Sequence, residues 1–126
     1  MEMDDPHGYG RIIRDRSGRV RKIVEEKDTT ARQRVVQEVN TGLLAASTTR
    51  LKQWLSRIGN DNAQGEYYLT DIVAAAARDG VEIATASTEN QYEVLGVNNK
   101  AQLARPQSAH SGRCDLRARW ESRYSP

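Results

Sequence analysis

At 126 residues, with 37% hydrophobic and 29% charged side chains, the chain has the size of one domain and sits on the polar side of the globular range, which excludes wholesale disorder. The formal charge of +2 comes from the end of the chain. Residues 1–105 carry 15 basic and 15 acidic side chains, and only Arg113, Arg117, Arg119 and Arg123, outnumbering Asp115 and Glu121, tip a balance too even for a nucleic-acid partner.

The predicted elements begin with YGRIIRDR (9–16) and RVRKIVE (19–25), two β-compatible runs separated by Ser17-Gly18, a turn signal, which together predict a β-hairpin. In the polar stretch that follows, Asp28 or Thr29 could cap a short helix. VVQEVNTGLLAAS (35–47) has the β-branched and apolar content of a strand containing Asn40. From Thr48 or Thr49 a helix is predicted, because Leu51, Trp54, Leu55 and Ile58 share one face, and Gly59 ends it. The turn NDNAQGE leads through Tyr67, Tyr68 and Leu69 to Thr70, a candidate N-cap with Asp71 in the first turn of a helix running to about Gly80. VEIATA (81–86) and QYEVLGV (91–97) are predicted strands, and NNKAQLAR opens a further helix. Alternating strands and helices define an α/β class. Beyond Arg105 the composition shifts to Ser, Arg and Pro without sustained period, and residues 106–126 are expected to form a tail with little structure.

The single cysteine, Cys114, cannot form an intrachain disulfide, so a disulfide-stapled secreted scaffold is excluded. No run approaches the roughly 18 apolar residues of a membrane span, and Met-Glu-Met-Asp-Asp lacks the pattern of a signal peptide. A cytoplasmic protein with no membrane partner is expected.

Five blocks carry a resemblance: Asp5-Pro6-His7-Gly8-Tyr9-Gly10-Arg11, Ile23-Val24-Glu25-Glu26-Lys27-Asp28, Gln37-Glu38-Val39-Asn40-Thr41-Gly42, Asn62-Ala63-Gln64-Gly65-Glu66-Tyr67-Tyr68-Leu69-Thr70-Asp71 and Gly96-Val97-Asn98-Asn99-Lys100. Their order and spacing resemble the uridyltransferase domain of the bacterial bifunctional enzyme that also acetylates glucosamine 1-phosphate, over about residues 4–105. NTG and GYGR recur among sugar nucleotidyltransferases generally, whereas NAQGEYYLTD is far more particular. The resemblance is to the C-terminal, sugar-binding half of that domain. It implies a partial nucleotidyltransferase (Rossmann-like) fold, a mixed sheet with flanking helices, lacking the N-terminal nucleotide-binding half.

By the same resemblance, the family reaction joins N-acetylglucosamine 1-phosphate to UTP and releases pyrophosphate. The implied substrate-binding residues are Gly10, Glu25, Asn40, Tyr68, Thr70 and Asn98, and Asn98 also supplies an oxygen to Mg²⁺. Four of them have a plainer alternative. Glu25, beside Glu26, Lys27 and Asp28, has the sequence of a solvated charge; Tyr67 and Tyr68 could be core aromatics, Thr70 a helix cap and Asn98 a turn amide. A lone carboxamide cannot hold a cation that prefers carboxylate and phosphate oxygens. The glycine-rich phosphate loop and metal-binding aspartate of the family have no counterpart within these residues. The expectation is a fragment, inactive alone, that works with a chain supplying the other half. The alternative is a non-catalytic sugar-phosphate-binding or protein-interaction remnant.

Overall fold

A computed structural model describes residues 1–87. The expected strand 91–97, the helix after it, Asn98 and the 106–126 tail lie outside the described residues. The elements in chain order are β1 (Arg11–Arg14), β2 (Val20–Val24), a single 3-10 turn at Glu26–Asp28, α1 (Ala31–Arg34), α2 (Thr48–Leu55) and α3 (Asp71–Arg78). The α/β class therefore holds, with a two-stranded antiparallel sheet among the described residues. No helix among them is long and apolar enough to cross a membrane.

The hairpin forms as its sequence predicts. Ile12 pairs with Ile23 and Arg11 with Val24, and the register slips between Ile13 and Arg14. Gly18 takes a φ of +82°, a left-handed conformation that glycine reaches without steric penalty. Asp15 organises the same turn: its Oδ1 accepts the Ser17 N–H at 2.9 Å, the Ser17 hydroxyl at 2.6 Å and the Arg19 N–H at 3.1 Å. The Ser17 hydroxyl is the largest influence holding the Asp15 carboxyl below its ordinary range. Arg14 then ties the hairpin to distant chain: Nε and Nη2 donate to the Glu38 carboxylate at 2.7 and 2.6 Å, Nη1 to the Gly18 carbonyl at 2.8 Å, and Nη2 also to the Thr85 hydroxyl at 2.9 Å.

The helices differ from expectation mainly at their ends. Thr30, one residue beyond the expected caps, starts α1, and its N–H donates to Gln33 Oε1 at 2.9 Å, the reciprocal half of a capping box. Helix α2 stops at Leu55 rather than at Gly59, with Ser56 as C-cap. Ile58 still packs on the core from the following loop, whereas Leu55 is 40% exposed. Helix α3 ends as expected near Gly80. Its φ of +73° permits the paired bonds Gly80 N–H to Ala77 O (3.2 Å) and Val81 N–H to Ala76 O (3.0 Å), the Schellman closure.

Two expected strands do not form ladders. Over 35–47 there are only single bridges, Glu2 with Glu38 and Arg11 with Val39, although Ile12 N–H to Glu38 O (2.9 Å) and Asn40 N–H to Gly10 O (2.8 Å) seat residues 38–40 beside β1. The Asn40 side-chain oxygen accepts the Gly42 N–H at 3.2 Å, a local turn that competes with strand extension. Residues 81–87 also have no regular element. Val81 and Ile83 contribute apolar packing instead, because a strand needs a neighbour to pair its backbone with.

The core lies between one face of the hairpin and the two longer helices. Val20 and Ile23 meet Trp54 from α2 and Ile72, Val73, Ala75 and Ala76 from α3, with Ile12, Leu51, Ile58, Val81 and Ile83 around them. The indole N–H of Trp54 donates to Asp79 Oδ2 at 2.8 Å, and Arg57 grips the same carboxylate with bonds of 3.1 and 2.6 Å. Asp79 thus fastens the end of α3 to α2. Hydrogen bonds from Arg57 and then Trp54 lower its pKa to about 2. A carboxylate depressed in the folded state contributes stability above its unfolded pKa of about 4, which is lost as pH falls through the folded value. The difference in Tm between the parent and Asp79→Asn should therefore be widest above pH ~5 and close towards pH ~2. Added salt should narrow it, since Arg57 and Asp79 are solvent-facing.

Candidate functional site

The hairpin's open end, opposite the Ser17-Gly18 turn, is where the sequence-predicted site residues converge. Gly10 immediately precedes β1 and Glu25 immediately follows β2, so the antiparallel register places them across from each other. Gly10 is buried and Glu25 half-buried. A Cβ added at Gly10 would stand 2.9 Å from Ile23 Cγ2 and 3.2 Å from Glu25 Oε2. Space, rather than backbone freedom, demands glycine here. Gly10→Ala should cost about 1–3 kcal/mol by overpacking against a stiff β-branched neighbour, seen as a lower Tm together with displacement of the Glu25 carboxylate.

Thr70 approaches from the start of α3. Its hydroxyl donates to Glu25 Oε1 at 2.7 Å, and no side-chain capping bond is made to the helix. As N-cap by position, it spends its hydroxyl on the carboxylate instead. A carboxylate offers about four acceptor positions, so this bond fixes the orientation of Glu25 while leaving acceptor capacity. Asn40 is joined to the group through its backbone bond to Gly10 and is half-buried.

Tyr68 stands one turn away on the loop that delivers Thr70. Its hydroxyl accepts a bond from Gln64 Nε2 at 2.8 Å, and its carbonyl accepts the Asp71 N–H at 3.1 Å. Desolvation raises the phenol's pKa, the Gln64 bond opposes this, and the charge of Asp28 adds to the rise. Asp71 is likewise raised, first by burial, with Arg78 opposing and Asp28 assisting. Tyr67 and Leu69 face outward, 68% and 52% exposed, so Tyr67 is not a core aromatic. Asn98 lies outside the described residues. Among the described residues no group of three or more His, Cys, Asp or Glu side chains is placed to hold a metal ion.

The charged run Glu25 to Asp28, which has the sequence of a solvated surface, is tied down at every position. Glu26 pairs with Arg11 at 2.7 Å. Lys27 donates to Gln64 Oε1, and Asp28 accepts the Ala63 N–H at 2.8 Å. These last two bonds dock the 62–66 loop onto the end of β2 and so bring Thr70 to Glu25. Neither Arg11 nor the docking pairs follow from sequence spacing. The one available signal is that both partners fall within the blocks that carry the family resemblance.

The arrangement defines an α/β unit that presents a buried glycine backbone, an oriented carboxylate, a hydroxyl and a phenol at one end of a hairpin, a donor and acceptor set suited to a hydroxyl-rich polar ligand. No family model matches the chain. It is similar to the bifunctional GlmU proteins, with 57% identity over 110 residues to that of Aromatoleum aromaticum, 60% over 110 residues to that of Thiobacillus denitrificans and 57% over 104 residues to that of Marinobacter nauticus. These matches cover 87%, 87% and 82% of this chain, but the chain spans only 24%, 24% and 23% of the length of those relatives.

Proposed function

We propose that this chain contributes the sugar side of an N-acetylglucosamine-1-phosphate uridyltransferase site within a nucleotidyltransferase fold. The observation that carries the reading is the convergence of Gly10, Glu25 and Thr70, with the Thr70 hydroxyl on one oxygen of Glu25 and the other oxygen beside the Gly10 backbone. Similarity to the GlmU proteins over most of the chain supports it. In this reading Glu25 accepts hydrogen bonds from the sugar's hydroxyls or acetamido N–H, a charge-assisted and hence stronger kind of bond. The Gly10 backbone, Asn40 and Tyr68 shape the rest of the pocket.

The reaction asks little covalent chemistry of the protein. The sugar phosphate attacks the α-phosphorus of UTP and pyrophosphate leaves, so the rate depends on holding two anions in line and neutralising their charge. Orientation of this kind is worth roughly 7–11 kcal/mol, and it is gained only when both substrates are held together. The nucleotide-binding loop is not found within these 126 residues, and its supply from another polypeptide segment is part of the proposal. Mg²⁺ would neutralise phosphate charge, with Asn98 as one ligand; the described residues supply no further cluster for it. Exposed Leu43 and Leu44, at 74% and 41%, are apolar surface that a larger nucleotidyltransferase body would cover.

The test is complementation. Purified as a 126-residue polypeptide, the chain is expected to release no pyrophosphate from UTP and N-acetylglucosamine 1-phosphate. Mixed with a separately made glycine-rich nucleotide-binding half of a GlmU relative, it is expected to restore turnover. Turnover by the 126 residues alone, or failure to bind the sugar phosphate in either state, would overturn the half-site reading.

A further inference from the structure

Arg11 is 2% exposed and Val39, at 1%, is the other largest fully buried side chain, so a guanidinium stands where an apolar side chain would fill the space at lower desolvation cost. Its Nη2 lies 2.7 Å from Glu26 Oε2, and its Nη1 donates to the Tyr9 carbonyl. Glu26 Oε2 also accepts the Gly8 N–H at 3.2 Å. The ion pair thus gathers residues 8, 9 and 11, either side of Gly10: Glu26 holds 8 and 11, and Arg11 holds the carbonyl of 9. Arg11 Nε finds no hydrogen-bond partner among the described residues, so the cation is not buried for the sake of a fully satisfied core network. A buried ion pair of this kind contributes little net stability compared with apolar packing.

Its placement gives the pair a different use. Each member is the immediate chain neighbour of a ligand-facing residue, Arg11 of Gly10 and Glu26 of Glu25. Glu25 is extended and Glu26 opens the 3-10 turn, so the link between Arg11 and Glu26 crosses the hairpin mouth one residue along the chain from both Gly10 and Glu25. We propose that Arg11 and Glu26 are positioning residues that set the separation between the Gly10 backbone and the Glu25 carboxylate, and through it the affinity for a sugar phosphate. The ligand half of this inference rests on the proposed function; the brace itself does not. Burial pushes the Glu26 carboxyl up, but the Arg11 bond and the Gly8 N–H bring it below its ordinary range overall, which keeps the brace charged at neutral pH.

The experiment uses the full 126-residue chain and four variants, Glu26→Gln, Arg11→Met, Glu26→Asp and Asp79→Asn. Amide hydrogen exchange is followed by NMR at Gly8 and Gly10 and, as a reference for global opening, in α3. N-acetylglucosamine 1-phosphate is then titrated into each. Glu26→Gln and Arg11→Met are expected to speed exchange at Gly8 and Gly10 about tenfold beyond any change in α3, and to weaken sugar-phosphate binding about tenfold. Glu26→Asp should restore part of both. Asp79→Asn, which loosens the helices far from the hairpin mouth, should lower Tm while leaving loop exchange relative to α3, and affinity, unchanged. The brace is overturned if Glu26→Gln leaves both loop readouts at the parent value, or if Asp79→Asn reproduces the losses. If the parent chain does not bind the sugar phosphate while Glu26→Gln still frees the Gly8 and Gly10 amides, the brace stands and the sugar reading falls.

Discussion

Trp54→Ala is expected to remove about 3–5 kcal/mol of folding stability, a large share of the whole for a domain whose total is about 5–15 kcal/mol. Trp54 is 5% exposed at the centre of the core, between α2, α3 and the hairpin. Truncation removes its transfer free energy, leaves a cavity that α2 and α3 cannot close without shifting, and strips Asp79 of one hydrogen-bond donor. At about 4–8 °C per kcal/mol for a domain of this size, the melting transition should fall by tens of degrees or lose its cooperativity, as read by circular dichroism. Trp54→Phe keeps most of the ring and loses the indole N–H, and its smaller loss would separate packing from the hydrogen bond. A melt of Trp54→Ala indistinguishable from the parent would mean that the core is not where the buried surface places it.

Glu25→Gln should have the largest effect on ligand binding. The substitution keeps size and one acceptor oxygen but removes the charge. A hydrogen bond to a charged group contributes about 1.5–3 kcal/mol, so affinity for N-acetylglucosamine 1-phosphate should fall by about 10- to 150-fold. Because Thr70 holds Glu25 Oε1, Thr70→Val should weaken binding by a smaller factor, through loss of orientation. Stability should change little in Glu25→Gln, since Glu25 is only half-buried. Isothermal titration on the folded variants checks both. Equal affinity for Glu25→Gln and parent would remove Glu25 from the site.

The hairpin and helix α3 are legible in the sequence because their hydrogen bonds close locally. Ser17-Gly18 and Asp15 make the turn from five consecutive residues, and the run IVAAAA between Asp71 and Gly80 carries its own ladder and its own stop. The candidate site was legible only by likeness to a known family, since Glu25 in its charged run looks like any solvated carboxylate. The structure alone showed that Glu26, Lys27 and Asp28 are each committed to partners between 15 and 37 residues distant, and that Arg11 is buried to meet one of them. Likewise, the β-branched and apolar content of 35–47 and 81–86 was expected to form strands, yet neither segment forms a ladder among the described residues. A helix or tight turn satisfies its backbone from within the segment. A strand, an ion pair or a positioned carboxylate is completed by residues far along the chain, so tertiary structure decides it.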